Sequence, residues 1–77
     1  MKNEHSEIHR RLKFNICYAR KMQGLSQLQL AEKAGISLTY MSRIEAVNGD
    51  TVPSISVIVD IANALVVSID RIFEFRD

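Results

Sequence analysis

The sequence predicts an all-α domain made of five helices. Apolar residues recur at intervals of three and four, which is the spacing of one buried helix face. Ser26, Ser37, Ser54 and Ser68 each precede such a stretch, where a serine hydroxyl can cap the first helical turn. No run alternates apolar and polar residues over a useful length, so we expect no strand. Because the chain has only 77 residues, we expect a single domain, from residue 6 to residue 77.

The first predicted helix runs from about Ser6 to Met22. It carries one apolar stripe, formed by Ile8, Leu12, Ile16 and Ala19. Gly24 follows, and a glycine can end a helix in the left-handed conformation without a steric penalty. Cys17 lies on this helix, where we expect it to be a small packing residue. Residues 1–5 precede the helix, and we expect them to be flexible.

The stretch from residue 25 to residue 45 predicts two short helices joined by a tight glycine turn. Ser26 and Gln29 form the S-x-x-Q pattern of a capping box at the start of the second helix. Gly35 stands at its end, where the chain needs a residue that tolerates a positive φ. The apolar stripes of the two helices are formed by Leu30, Ala31 and Ala34 and by Met41 and Ile44. Residues 27–46 therefore have the layout of a helix-turn-helix, whose second helix enters the major groove of DNA.

Two more helices complete the predicted bundle. The fourth begins at Ser54, directly after Pro53, and a short fifth helix follows Ser68. We expect the fourth helix to bury Ile55, Ile58, Ile61, Ala62 and Leu65. We expect the fifth helix to contribute Ile69, Ile72 and Phe73 to the core.

Taken in order, these motifs resemble those of the lambda-repressor-like helix-turn-helix regulators, also called the Cro-type or XRE family. The matching segments are Gly24-Leu25-Ser26-Gln27, Leu30-Ala31, Ala34-Gly35-Ile36-Ser37, Met41-Ser42-Arg43-Ile44-Glu45, Pro53-Ser54-Ile55, Ile61-Ala62-Asn63-Ala64-Leu65 and Val67-Ser68-Ile69-Asp70-Arg71-Ile72-Phe73. The resemblance covers residues 12–73 and implies the five-helix DNA-binding domain of a transcriptional regulator.

The second helix of the motif, residues 37–46, is the predicted recognition helix, and its first turn is expected to lie deepest in the groove. Leu38 and Thr39 should therefore meet base edges. Arg43 lies one turn after Thr39 on the same face, and arginine to guanine is the commonest specific contact. The predicted DNA-binding residues are Gln27, Ser37, Leu38, Thr39, Tyr40, Ser42, Arg43, Asn48 and Thr51.

Some of these residues have a second interpretation. Gln27 begins a helix, where its amide and the free N–H groups can bind a phosphate, and the resemblance implies that it also positions the recognition helix. The hydroxyl groups of Tyr40 and Ser42 suit phosphate contacts, but Tyr40 could instead be a half-buried packing residue. Arg43 could neutralise a phosphate without reading a base, and Leu38 could fold back onto the protein.

The resemblance also implies an ion pair between Arg20 and Glu45, which would fix the angle between the first and third helices. The alternative is two independent surface charges.

The sequence departs from the family pattern in two places. The connection Val47–Val52 is longer than usual, and Val66 replaces a glycine after the fourth helix. Because a β-branched residue resists a positive φ, we expect the fourth helix to end differently or to continue.

A surplus of apolar residues near the end of the chain predicts a homodimer. A small five-helix core does not obviously absorb all of them, and an exposed apolar patch usually marks an interface. The alternative is that the helices bury more of them. The predicted dimer interface consists of Val57, Val59, Val66, Ile69, Phe73 and Phe75.

Composition and charge agree with a DNA-binding protein and exclude several other classes. Residues 1–35 have seven basic and three acidic residues, a net charge of +4, whereas residues 36–77 have a net charge of −3. This polarity suits a basic half near phosphates. No apolar run could span a membrane, no signal peptide opens the chain, and a single cysteine suits the cytoplasm.

Neither an enzyme nor a metal protein is expected. His5 and His9 stand one helical turn apart, but no third ligand is near, so we expect no metal site. The sequence has no nucleophile–base pair or glycine-rich phosphate loop, and we expect no cofactor and no small-molecule ligand.

The predicted function is that of a free-standing, homodimeric, sequence-specific regulator that binds the major groove of double-stranded DNA at palindromic operators. It would be encoded by a prokaryote or a phage, as a controller protein of a restriction–modification system or a Cro-like repressor. The alternative is a protein-interaction module with the same fold, such as an antitoxin subunit. The outer face of the third helix, with Thr39, Ser42 and Arg43, suits DNA better than a protein partner.

Overall fold

The computed structural model describes residues 6–74, which form five helices. These are α1 (Ser6–Met22), α2 (Gln27–Ala34), α3 (Leu38–Glu45), α4 (Ile55–Leu65) and α5 (Ile69–Ile72). The described part of the chain contains no strand, so the predicted all-α class and the five helices are confirmed. Residues 1–5, which the sequence predicts to be flexible, lie outside the described residues.

The helix starts follow from the serine caps. At α2 the Ser26 hydroxyl accepts a hydrogen bond from the Gln29 backbone N–H at 3.0 Å, and the Gln29 side chain accepts one from the Ser26 N–H at 2.8 Å. This reciprocal pair is the predicted capping box, and it satisfies two donors that a helix end leaves free. Ser37, Ser54 and Ser68 cap α3, α4 and α5 through the serine hydroxyl alone, each accepting from the backbone N–H three residues ahead.

One hydrophobic core lies between the helices. Helix α2 packs mainly against α4 and α3, while α1 crosses α3, α4 and α5. Burial of each large aliphatic side chain stabilises the fold by about 1.5–3 kcal/mol. The core consists of Leu12, Ile16, Leu30, Ala31, Ala34, Met41, Ile44, Ile58, Ile61, Ala62, Leu65 and Ile72.

Side chains from α1 and the turn after it satisfy the ends of the other helices. Lys13 donates to backbone carbonyls at the end of α3, and Asn15 donates to the carbonyls of Ile72 and Glu74 at 2.7 and 2.9 Å, at the end of α5. Gln23 donates to the Leu65 carbonyl at 2.6 Å, at the end of α4. The last carbonyls of a helix have no partner within the helix, so these bonds fix where α1 sits.

The expected burial of Ile55 is wrong, because this side chain is 71% exposed. Ile55 is the first residue of α4, and helical side chains tilt toward the N-terminus of their helix, so Ile55 extends beyond the core. Ile8 near the start of α1 and Ile69 at the start of α5 are also partly exposed, at 40% and 38%. Val57 instead packs half-buried against the core.

The expectation for Val66 is also wrong. Helix α4 ends at Leu65, and Val66 itself adopts the left-handed conformation, with φ 56° and ψ 45°. The Val67 N–H donates to the Ala62 carbonyl at 3.0 Å, and Val67 packs against the core, so the residues on both sides hold Val66 in place. Helix α5 therefore begins after Ser68, as predicted.

Val66→Gly is expected to raise the free energy of unfolding by about 1 kcal/mol. The left-handed conformation costs a residue with a side chain about 1–2 kcal/mol, and this strain is relieved in the variant. Part of the gain is offset because glycine loses more conformational entropy on folding than valine does. The Val66 side chain is 87% exposed, so little packing is lost. Urea unfolding at two protein concentrations measures the change and reveals any contribution from dimerisation.

Gly35→Val is the reciprocal control. Gly35 has φ 74°, and a Cβ there would meet nothing within 4 Å, so the valine would be strained without clashing. We expect this variant to be destabilised by about 1–2 kcal/mol. A Val66→Gly variant no more stable than the wild type would show that the position stores no strain.

Candidate nucleic-acid interface

The angle between α2 and α3 is set by the turn around Gly35. Gly35 adopts φ 74° and ψ 28°, and the Ile36 N–H donates to the Ala31 carbonyl at 2.9 Å, which closes the end of α2. Ser37 then caps α3 through the Tyr40 N–H at 3.0 Å. The two helices are thereby joined by three residues in the helix-turn-helix geometry.

The outer face of α3 is exposed and mostly polar. Thr39, Ser42 and Arg43 are all exposed, and the Leu38 side chain is 44% exposed rather than folded into the core. Within residues 6–74 no hydrogen bond or ion pair occupies the Arg43 guanidinium. Thr39 and Arg43 are therefore available to a partner. We refer to Leu38, Thr39, Ser42 and Arg43 as the α3 face.

Gln27 connects the start of α2 to α3 through both ends of its side-chain amide. Its oxygen accepts a hydrogen bond from the Ser42 hydroxyl at 2.9 Å, and its nitrogen donates to the Glu45 carboxylate at 3.0 Å. The amide thus holds the N-terminus of α2 beside the α3 face. The Ser42 proton is engaged in this bond, which leaves the lone pairs of that oxygen as acceptors.

The structure brings together Arg20 and Glu45, the predicted ion pair. The Arg20 Nε and Nη2 groups donate to the two carboxylate oxygens at 2.8 and 2.9 Å, and the side chains are only 9% and 3% exposed. Arg20 also donates to the Leu25 carbonyl at 2.7 Å. Such a bidentate, buried pair fixes orientation as well as adding charge attraction, so it ties α1 to the end of α3.

Burial and hydrogen bonding act in opposite directions on Glu45. Burial desolvates the carboxylate and by itself raises its pKa, but the hydrogen bonds from Arg20 and Gln27 and the Arg20 charge outweigh that effect, so the pKa of Glu45 lies below its usual value. The hydrogen bonds to Glu45 likewise hold the pKa of Arg20 above its usual value. The pair is therefore fully charged at neutral pH.

The remaining predicted DNA contacts lie around the α3 face. Ser37 is exposed at the N-terminus of α3, and Asn48 is exposed in the loop between α3 and α4, while Thr51 in the same loop is half-buried. Tyr40 packs half-buried against the core, in agreement with its alternative interpretation as a packing residue. Gln27 and Ser42 are hydrogen-bonded to each other. Asn48 and Thr51 belong instead to the loop that follows α3.

Comparisons with known proteins identify the family. A helix-turn-helix family model matches residues 18–72, which is most of the chain. The chain belongs to the XRE-type helix-turn-helix family. It is similar to the crystal structure of a hypothetical transcription factor, NHTF, from Neisseria, with a TM-score of 0.77 and 27% sequence identity over 91% of this chain and 76% of that chain. The comparison with curated proteins gave no match.

The family assignment makes this helix-turn-helix protein a DNA-binding transcriptional regulator. Within the described part of the chain, no helix is both long and apolar enough to cross a membrane.

Only some of the residues predicted for a dimer interface are exposed in this helix-turn-helix domain. Val59, Val66 and Ile69 are exposed, whereas Val57 and Phe73 pack half-buried against the core. Phe75 lies outside the described residues. The core therefore absorbs part of the apolar surplus that the sequence contains.

Cys17 and the histidines form no metal site among the residues described. No group of three histidine, cysteine or acidic residues within residues 6–74 is arranged to hold a metal ion, and His5 lies outside that range. The Cys17 thiol is free and half-buried, and its sulfur accepts a hydrogen bond from Arg20 at 3.7 Å. Cys17 thus packs beside the ion pair.

Sequence reasoning missed Lys13. This residue is buried and donates to the carbonyls of Ala46 and Gly49 at the end of α3. Lys13 precedes Arg20 by seven residues, about two helical turns, so both face α3. That spacing was the signal available in the sequence.

Proposed function

We propose that this protein regulates transcription as a homodimer that binds palindromic operators, with the α3 face in the major groove. One observation carries the proposal: the α3 face is exposed and polar, and its helix is held from behind by a buried ion pair. A rigid, exposed polar helix beside the N-terminus of another helix is the arrangement with which such domains read DNA.

Base reading is assigned to three side chains of the α3 face. Arg43 has no partner among the described residues and reaches guanine best, through two hydrogen bonds to its major-groove edge. Thr39 lies one turn earlier and suits a single hydrogen bond or a thymine methyl, and Leu38 offers apolar contact only. Discrimination should therefore depend most on Arg43.

Phosphate contacts are assigned to the groups around that face. The N-terminal N–H groups of α2 and the second amide proton of Gln27 favour a phosphate oxygen. Ser37 and the loop residues Asn48 and Thr51 add polar contacts, and Tyr40 offers its hydroxyl group. These groups set the register of the protein on the duplex. Ser42 donates its proton to Gln27, so it suits a donor on a base and not a phosphate oxygen.

We infer a two-fold dimer from the small number of base pairs that one recognition helix can read. One short recognition helix reads only a few base pairs, whereas two related helices read half-sites about 34–36 Å apart. We assign the interface to the exposed residues Val59, Val66 and Ile69, with Val57, Phe73 and Phe75 as its continuation. Occupancy would then depend on the concentration of the protein.

A controller protein of a restriction–modification system and a phage Cro-like repressor both fit this description. The selected operator and the genes beside it distinguish the two.

The test is selection of binding sites from random double-stranded DNA, with affinities measured over a salt series for the wild type and for Arg43→Ala. We expect a palindromic consensus, and we expect Arg43→Ala to lose about 1–3 kcal/mol of discrimination at one or two positions of each half-site. Arg71→Ala is the matched control, because Arg71 is an exposed arginine on α5.

The other outcomes are equally informative. A loss that is uniform across sequences, with a shallower salt dependence, would make Arg43 a phosphate contact. A consensus without two-fold symmetry would exclude the homodimer. No enrichment at any salt concentration would contradict the regulator and favour the protein-interaction module.

A further inference from the structure

The lysine on the inner side of α1 has an unusual environment. Lys13 is only 9% exposed, whereas Lys21 and Lys33 are exposed like most lysines. Its ammonium group donates to the Ala46 carbonyl at 3.1 Å and to the Gly49 carbonyl at 2.6 Å. A buried ammonium ion needs such partners, so Lys13 is held at this position by two backbone acceptors.

The segment that accepts these bonds is the loop that leaves the recognition helix. Ala46 is the C-terminal cap of α3, and the Gly49 N–H donates to its carbonyl at 3.2 Å. A Cβ on Gly49 would stand 3.1 Å from the Ala46 Cβ, so the loop folds closely onto the end of α3. Lys13 thus connects α1, the last turn of α3 and the loop at a single point.

The loop also carries two residues assigned to phosphate contacts. Asn48 and Thr51 stand on either side of Gly49. Within residues 6–74, the N–H groups of Asn48, Asp50 and Thr51 donate to no backbone carbonyl. A loop fixed before binding loses less conformational entropy on contact with DNA.

We propose that Lys13 is a positioning residue for DNA binding, which holds the α3–α4 loop in the conformation that presents Asn48 and Thr51 to the phosphate backbone. The inference rests on the proposed function and extends it to a residue behind the interface. Because Lys13 is buried and its ammonium group donates to one carbonyl at the end of α3 and one in the loop, Lys13 acts through the loop and not as a phosphate contact itself.

Lys13→Met tests this, because methionine keeps most of the apolar stem and removes the donors. We expect a folded variant with about tenfold weaker operator binding and an almost unchanged log–log salt slope, because the slope counts phosphates neutralised by lysine or arginine and Asn48 and Thr51 are uncharged. Lys21→Met removes the same charge from an exposed position of the same helix, and its effect should be much smaller.

A double-mutant cycle separates positioning from direct contact. The paired substitution Asn48→Ala and Thr51→Val should weaken binding in the wild type but add almost nothing in the Lys13→Met background. Full additivity would overturn the role of Lys13 while leaving the regulator intact. Failure of the wild type to bind any DNA would overturn both.

A measurement on the wild type covers the case in which Lys13→Met does not fold. The ¹⁵N resonance of a carbonyl-bound lysine ammonium group can be followed by NMR. We expect the Lys13 signal to be visible in the free protein and unchanged on addition of operator DNA. A shift to the environment of a phosphate-bound ammonium group would contradict the proposal.

Discussion

Glu45→Leu is expected to lower the free energy of unfolding by about 3–5 kcal/mol, because it leaves a buried guanidinium without its counter-charge. The Arg20 side chain is only 9% exposed, and both of its bonds to the carboxylate would be lost. Gln27 would lose an acceptor as well. Equilibrium urea unfolding, followed by circular dichroism, measures the loss.

The cycle with Arg20→Met isolates the charge effect. Each single variant leaves one buried charge uncompensated, whereas the double variant leaves none, so its destabilisation should be well below the sum of the two. Simple additivity would show that the two residues act independently. Glu7→Leu is the exposed control, because Glu7 pairs with Arg10 and Arg11 at the surface and should contribute far less.

The same pair predicts a loss of stability in acid. The folded pKa of Glu45 lies below its ordinary value of 4.5, so its contribution is present above that value and is lost as the pH falls through the folded pKa. Glu7, whose pKa is lowered to about 2 by hydrogen bonds from Arg11 and Arg10, titrates in the same direction. Across the acid range, Glu45→Leu and Glu7→Leu should each show a flatter pH dependence of the free energy of unfolding than the wild type, because each removes a carboxylate whose pKa is lowered in the folded state.

Ile16→Ala is expected to destabilise the fold by about 2–5 kcal/mol, through lost burial and the cavity left behind. Ile16 is fully buried in the core, on the part of α1 that precedes the region matched by the family model. The free energy of unfolding in urea measures the change. An effect of this size would show that the domain depends on residues upstream of the helix-turn-helix match.

Two isoleucines serve as matched controls for that substitution. Ile55→Ala and Ile8→Ala remove the same atoms from positions that are 71% and 40% exposed, so each should have a much smaller effect. Equal losses of stability at all three positions would indicate that the different helix propensities of isoleucine and alanine, and not burial, determine the effect of the substitution.

The sequence predicts the helices well because their ends are determined locally. Ser26 and Gln29 cap α2 with atoms only three residues apart, and Gly35 supplies the one conformation that the turn requires. The exposed α3 face follows from the same periodicity, since Met41 and Ile44 face inward and leave Thr39 and Arg43 outside.

The errors occur where neighbouring helices decide the outcome. Ile55 fits the apolar period of α4, but the core ends before its side chain. Val66 opposes a positive φ intrinsically, yet the bonds and packing of Val67 impose it. The spacing from Arg20 places Lys13 on the side of α1 that faces α3, but the carbonyls that it reaches depend on where α1 crosses the end of α3, and no local pattern specifies that crossing.

The donors on α1 and on the turn after it also determine what can be moved between proteins. Lys13, Asn15 and Gln23 complete the ends of α3, α5 and α4, and only Gln23 falls within the matched region of residues 18–72. A chimera that received only residues 18–72 would lack Lys13 and Asn15, so the carbonyls at the ends of α3 and α5 would lose these hydrogen bonds. Transplanting the DNA-reading unit of this protein therefore requires α1 to travel with it, as part of the same module.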